Sequence, residues 1–436
     1  MPPRDNRPMP AHDPTPPRHD RRQVGWLSVT QLITWGSVFY TFALLMEPVE
    51  RELGLTRAQS SLAFSIALLA EGLLAYPVGR WIDRGHERAV MTGGSLVVGL
   101  CLFAHGFVTS DLQFYAVWMV LGMALAATLY SPVFAVVTRR YPHDFRRAII
   151  TLTFLGGLAS TVFIPLSAWL IHALGWRHAL WVLAAIHLCV CVPLHWHWLR
   201  DAPKRAVPAS DSGRASATPS TGLAHHLRST PFLALGVFVV IFMAVTAALP
   251  AHMVSLLREN GLSELWVVAI PASIGVIQVA GRLLLYLFES RFDVHLANRL
   301  IPCLIPLGLA ALLAGGGHGV AALVFVVLYG LGNGMMTIVK GTAIAMYVSR
   351  DHVASLNGAL GLPQAIARAI APLALGLLWT REAGYTVGLW WLLGFSVLAV
   401  FALLLAQRSS SSARLSSRCS TELRSSSAIS LSVRSP

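Results

Sequence analysis

Twelve stretches of this chain stay apolar for about twenty residues at a time, and that repetition leaves little choice of fold. A run of that length covers the hydrocarbon core of a bilayer when it is helical, and only helices or closed barrels satisfy their backbone polar groups there. The runs fall near 26–46, 59–80, 89–109, 114–137, 148–172 and 178–199. A second set lies near 231–257, 265–288, 296–314, 320–346, 356–379 and 385–406. Composition agrees, with 55% hydrophobic and only 12% charged residues. The expected fold class is an all-α membrane protein, with twelve transmembrane helices in two six-helix pseudo-symmetric bundles. These are residues 23–200 and 230–407. A polar linker, 201–229, joins them, and the tails, 1–22 and 408–436, are expected to be disordered and cytoplasmic.

The net charge of +13 would suit a nucleic-acid partner if it were gathered in one basic domain. It is instead scattered over loops and tails. Counted on alternate sides of the spans, the basic residues gather with the termini. Arg51, Arg57, Arg177, Arg258 and Arg381 alone fall opposite, and Arg368 lies inside a span. Both termini are therefore expected in the cytoplasm. Cys101, Cys189, Cys191 and Cys303 lie in or beside apolar runs, and Cys419 lies in a polar tail, so no disulfide framework is indicated. His195 and His197 flank Trp196 at a span end. They point apart on a helix and read as an interfacial belt rather than metal ligands.

The two halves echo each other. Gly79-Arg80 recurs as Gly281-Arg282, Leu121-Gly122 as Leu331-Gly332, and Pro165-Leu166 as Pro372-Leu373. Repeats of this kind place a solute site between the halves near the membrane midplane.

Between the second and third runs the chain reads Gly79-Arg80-Trp81-Ile82-Asp83-Arg84-Gly85-His86-Glu87-Arg88. This resembles the short loop between helices 2 and 3 of the major facilitator superfamily, G-x-x-x-D-R-x-G-x-R. Gly79, Asp83, Arg84 and Arg88 match. His86 stands where the second glycine belongs, and Gly85 comes one place early. A glycine on helix 2 allows close helix approach, and an acid at the membrane surface can meet an arginine or a helix N-terminus. The resemblance makes these four residues a conformational latch. In the second half Leu285 replaces the acid, so the latch is expected on the first half.

Charged side chains inside spans are costly and tend to face the bundle interior. Arg368 lies midway along the eleventh run, with Gln364 one turn earlier. Its guanidinium suits a carboxylate, and a structural pair with Glu71 is the other reading. The repeat offset sets Thr161 opposite Arg368. Lys340 shares a helical face with Asn333 and Thr337, and by offset it answers to Tyr130; a lysine there could also snorkel to water. Glu71 is the candidate proton-coupling group, because a carboxyl that alternates between a desolvated site and a cation gains and loses a proton. Gln31, Trp35 and Tyr40 make the first run unusually polar and aromatic, fit for a small organic ligand or for helix contact.

A closer resemblance, to bacterial monocarboxylate and oxalate/formate carriers, rests on three features. They are Gln31-x-x-x-Trp35-Gly36 with Tyr40, Leu155-Gly156-Gly157, and a cation midway along the eleventh run. It implies a secondary active transporter in the bacterial inner membrane that moves a small organic anion, with proton coupling, by alternating access. The expected partners are an anionic solute, protons and the bilayer; the chain is expected to be a monomer with no cofactor and no metal. Proton-driven drug or metabolite efflux and a non-transporting membrane sensor are the alternatives. No phosphate-cradling G-x-x-x-x-G-K-[ST] loop and no G-x-S-x-G elbow occurs, so neither ATP-driven pumping nor an enzyme is indicated.

Overall fold

The computed structural model describes residues 21–141, 145–200, 225–288, 294–315, 318–349 and 353–432. The side chain of Asp83 and those beyond Ser410 are among those outside the description. The linker and the N-terminal tail expected from composition lie outside the described residues for most of their length.

Twelve helices among the described residues are long and apolar enough to cross a membrane. The first half holds α1 (Arg22–Leu53), α2 (Arg57–Trp81), α3 (Arg84–His105), α4 (Asp111–Arg140), α5 (Ala148–Leu174) and α6 (Trp176–Trp198). The second holds α7 (Thr230–Glu259), α8 (Glu264–Phe288), α9 (Leu296–Ala314), α10 (Gly319–Tyr347), α11 (Val353–Leu377) and α12 (Thr386–Ser432). An even number of crossings returns α12 to the side where α1 begins. We term that side the terminal end, and the opposite side the far end.

The first apolar run ends near residue 46 in the sequence. The helix instead runs on to Leu53 and stops at Gly54, whose φ of 68° ends it. Both Glu47 and Glu50 have cationic partners. α2 starts at once, capped by Thr56 and Gln59 in a reciprocal capping box.

Each half has its own apolar core. In the first, Phe42 stacks on Phe64 at 4.5 Å and Trp118 meets Phe42 edge-on at 4.9 Å. Glycines set the closest helix crossings, and the halves answer each other. In the first, Gly122 of α4 lies directly on the Ala67 backbone of α2; in the second, Gly334 of α10 lies on the Gln278 backbone of α8. The halves meet along two further seams, α2 with α11 and α5 with α8. Gly72 packs on Ala365 in the first seam, and Gly275 packs on Ser160, Thr161 and Gly157 in the second.

His195 departs from the interfacial reading. It is fully buried, with Ser95 Oγ at 2.8 Å and Thr30 Oγ1 at 3.0 Å, and it ties α6 to α3 and α1. Trp196 and His197 are exposed as expected.

Candidate functional site

α1 is not one regular helix. Trp35–Tyr40 forms a π-helical turn, a feature that collects at functional sites. Gly36 in that turn lies so near Phe163 of α5 that any side chain would overlap the ring. Trp35 and Tyr40 remain half-buried, and the Trp35 ring lies 5.1 Å from that of Tyr130.

α4 breaks after Leu125 and resumes at Tyr130. The break frees carbonyls, and Gln31 Nε2 donates to one of them, that of Thr128, at 2.6 Å. Gln31 is fully buried and serves as a strut between α1 and α4. Tyr130 stacks on Phe134 at 5.2 Å, and its hydroxyl lies against Gly156, where any side chain would collide with it. The next residue, Gly157, leaves room for Arg282 of α8: a Cβ there would stand 3.5 Å from Nη1.

Arg282 donates from Nη1 to the Thr153 carbonyl at 2.8 Å and from Nε to the Gly334 carbonyl at 3.3 Å. It lies within electrostatic reach of Tyr40 and Tyr130. Lys340 of α10 rests against Met243 Sδ at 3.1 Å, a weak acceptor. Neither cation meets a carboxylate among the described residues. Asn333 is half-buried on the same helix, and Thr337 donates back to the Gly334 carbonyl at 2.7 Å. One turn along α8 from Arg282, Gln278 lines a small cleft with Tyr40 from α1, Pro250 and Met253 from α7, Ile274 from α8 and Tyr329 from α10.

Arg368 stands differently. Its Nη2 is 3.1 Å from Glu71 Oε2 across the α2–α11 seam, with side chains only 23% and 12% exposed. Gln364 is half-buried one turn away. Thr161 is spent on the other seam, where its Oγ1 donates to the Ala272 carbonyl at 2.6 Å.

Comparison with known proteins places this architecture. The model of the Major Facilitator Superfamily matches residues 27–297, more than half of the chain. The chain belongs to the Major Facilitator Superfamily. It is therefore a multi-pass secondary transporter that moves a small solute by alternating access, not an enzyme. Among solved structures, the nucleoside transporter NupG superposes with a TM-score of 0.66 at 15% identity, over 88% of this chain and 98% of that one. A bacterial homolog of the human lysosomal transporter Spinster, inward-facing and unoccupied, superposes with a TM-score of 0.67 at 17% identity, over 89% and 96%. At such identities the likeness is one of fold. A curated relative, monocarboxylate transporter 13 of Bos taurus, is 29% identical over 195 residues, and the chain spans 43% of that relative's length.

In this facilitator the loop of the sequence motif turns at Gly85, whose φ is 93°. The glycine that comes one place early therefore makes the turn. The close approach expected at Gly79 falls instead at Gly72, since nothing lies within 4 Å of a Cβ built at Gly79. Arg84 is exposed, and the Asp83 side chain lies outside the description. The buried acid of this corner is Glu87, 2.5 Å from Arg140 at the end of α4. Arg88 donates to the Trp196 carbonyl at 2.9 Å and lies 3.5 Å from the centre of its ring. All these ties join parts of the first half.

At the far end a polar network joins the halves of the facilitator. Arg57 of α2 is 3.0 Å from Glu50 of α1, and its Nη1 donates to Tyr385 Oη at 2.6 Å and lies 3.8 Å from Glu259. Trp379 Nε1 donates to Glu259 at 2.8 Å. Arg258 pairs with Glu47 across the halves and with Glu264 at 2.7 Å. Burial among these groups pushes the Tyr385 phenol above its ordinary range. Arg57 and Arg258 were read from the sequence as charges of outside loops; only the fold brings them together.

Of the residues singled out from the sequence, Tyr130, Trp35 and Tyr40 are brought together. Lys340 comes within electrostatic reach of Arg368. The arginine facing the tyrosines is Arg282, which the sequence placed at the end of a span. The signal available was Gly281-Arg282 itself, a repeat of Gly79-Arg80 with no acid following.

Proposed function

We propose that this facilitator carries a short monocarboxylate, and that Arg282 and Lys340 hold the carboxylate. The observation that carries the reading is the imbalance of charge between the halves. Two cations there have only carbonyl and thioether partners among the described residues. Trp35 Nε1 adds a buried donor without a partner among them. Buried cations call for a counter-charge, and a bound carboxylate supplies one. The planar fork of Arg282 suits a bidentate grip, with the Tyr130 hydroxyl beside it. The small apolar cleft one turn along α8 is where a short tail would lie once the halves part. The name of the bovine relative supports the same solute class. The spread of basic residues supports cytoplasmic termini in a bacterial inner membrane.

Arg368 takes a different part in this reading. With Glu71 it forms a compensated pair that holds the α2–α11 seam. Glu71→Gln is expected to slow uptake about tenfold to a hundredfold, because it strands a half-buried guanidinium. The double variant Glu71→Gln with Arg368→Gln should recover to within a few-fold of wild type. A double variant as slow as the single would sink the pairing role.

The reading itself is tested by uptake into proteoliposomes with an imposed pH gradient. The panel is acetate, lactate, hexanoate, uridine and a cationic dye. Accumulation of the short carboxylates alone supports it. Uridine or dye accumulation without any carboxylate overturns it.

A further inference from the structure

His252 of α7 is fully buried at the base of the far-end network, and it touches both halves. Its Nε2 is 2.9 Å from the Pro372 carbonyl of α11 and 3.3 Å from Ser61 Oγ of α2. Its Nδ1 is 2.9 Å from Tyr385 Oη, which also accepts from Arg57 of α2.

These partners fix one tautomer. The Pro372 carbonyl only accepts, so Nε2 carries the hydrogen. Ser61 Oγ donates to the Arg57 carbonyl at 2.6 Å and can accept only from Nε2 in turn. Nδ1 is then an acceptor, and the Tyr385 hydroxyl donates to it. A continuous chain of donors runs from Arg57 through Tyr385 to the imidazole and on to α11.

A second proton on the ring breaks this chain. Nδ1–H would face a phenol oxygen whose own hydrogen points at it and one of whose two lone pairs is taken by Arg57. The Tyr385 hydrogen would have to turn away, and a second cation would stand beside the guanidinium in a fully buried site. The other ionisable groups of the network are already engaged. Glu50 and Glu259 pair with Arg57, while Glu47 and Glu264 pair with Arg258. From α11 and α2, the groups facing the ring are the Pro372 carbonyl and Ser61. The sealed state therefore binds the neutral ring, whereas a state parted at the far end lets water solvate the charged one.

We propose that His252 is a proton-binding site that unlocks the far face: protonation parts the halves there, and closing the face expels the proton. The sign follows from linkage. The sealed state binds fewer protons, so a falling pH moves the population toward the far-open state. The proposal rests on alternating access and not on the choice of solute.

The test needs no solute. Spin labels go at Leu112→Cys and Glu382→Cys, exposed far-end positions on opposite halves, with the native cysteines replaced by serine. Inter-label distances are read in lipid nanodiscs between pH 8 and 5. A longer-distance population is expected to grow as pH falls below the ordinary imidazole value, about 6.5, because only the parted state takes up the proton. His252→Gln offers the same donor and acceptor without a titrating ring, and should hold the short distance throughout. Tyr385→Phe removes the hydrogen bond to Nδ1 and should move the transition up by about one pH unit, a tenfold change in proton affinity. The idea fails if wild type shows no pH-dependent distance, or if His252→Gln keeps the transition. Should His252→Gln not fold, an unmoved transition in Tyr385→Phe overturns the proposal on its own.

Discussion

Arg282→Gln is expected to abolish uptake of the carboxylates. The glutamine keeps a donor but loses the positive charge and the second prong of the fork. Truncating one side of a buried, hydrogen-bonded charge pair costs about 3 kcal/mol, or roughly a hundredfold in affinity, and more where the pair is fully dry. The loss should fall on the concentration dependence of uptake first, because the solute meets Arg282 on binding. Arg282→Lys keeps the charge without the planar fork and should lose about tenfold. The Thr153 and Gly334 carbonyls lose a partner in the glutamine variant, so its thermal unfolding in detergent must be followed beside uptake. Wild-type uptake by a well-folded Arg282→Gln protein would remove the central argument for an anion site.

Gly122→Ala should be the most damaging small substitution in the first half. The added methyl would overlap the carbonyl and Cα of Ala67, and backbone cannot turn aside as a side chain can. α2 and α4 would have to separate, at a cost of about 3 kcal/mol, the upper end of the range for overpacking. The natural control is Gly79→Ala. That glycine carries the sequence motif, yet its methyl would meet nothing. Removing a helical glycine gains up to about 1 kcal/mol, so Gly79→Ala should unfold no earlier than wild type. Thermal unfolding of the two variants in the same detergent decides the matter. Equal midpoints would mean that the α2–α4 crossing is looser than the structure has it.

The spans were legible because a bilayer imposes a length and a polarity on every crossing, and no tertiary contact is needed to read either. The Glu71–Arg368 pair was legible as one of two readings, since few groups inside spans can answer an arginine. Arg282 was misplaced for a physical reason. Basic residues near span ends are read as loop charges, even though the eighth run, 265–288, already extended past it. Arg57 and Arg258 were hidden by the same rule on the opposite side. His252 stands alone in an apolar run, and nothing in Ala251-His252-Met253 tells that its partners come from residues 61, 372 and 385. Long-range partners of single polar residues leave no period in a sequence. Gly85 shows the converse: a displaced motif glycine still marks the place in this loop where the backbone needs a positive φ.

The π-helical turn at Trp35–Tyr40 has a consequence for anyone reasoning about α1 by helical wheel. Such a turn carries one residue more than an α turn, and each residue advances the helix by about 100°. Faces counted from Gln31 and Trp35 therefore do not continue past Tyr40. Glu47 and Glu50, which reach Arg258 and Arg57, lie beyond that change of phase. A scanning series across α1 has to be read as two helices with separate phases, joined at residues 35–40.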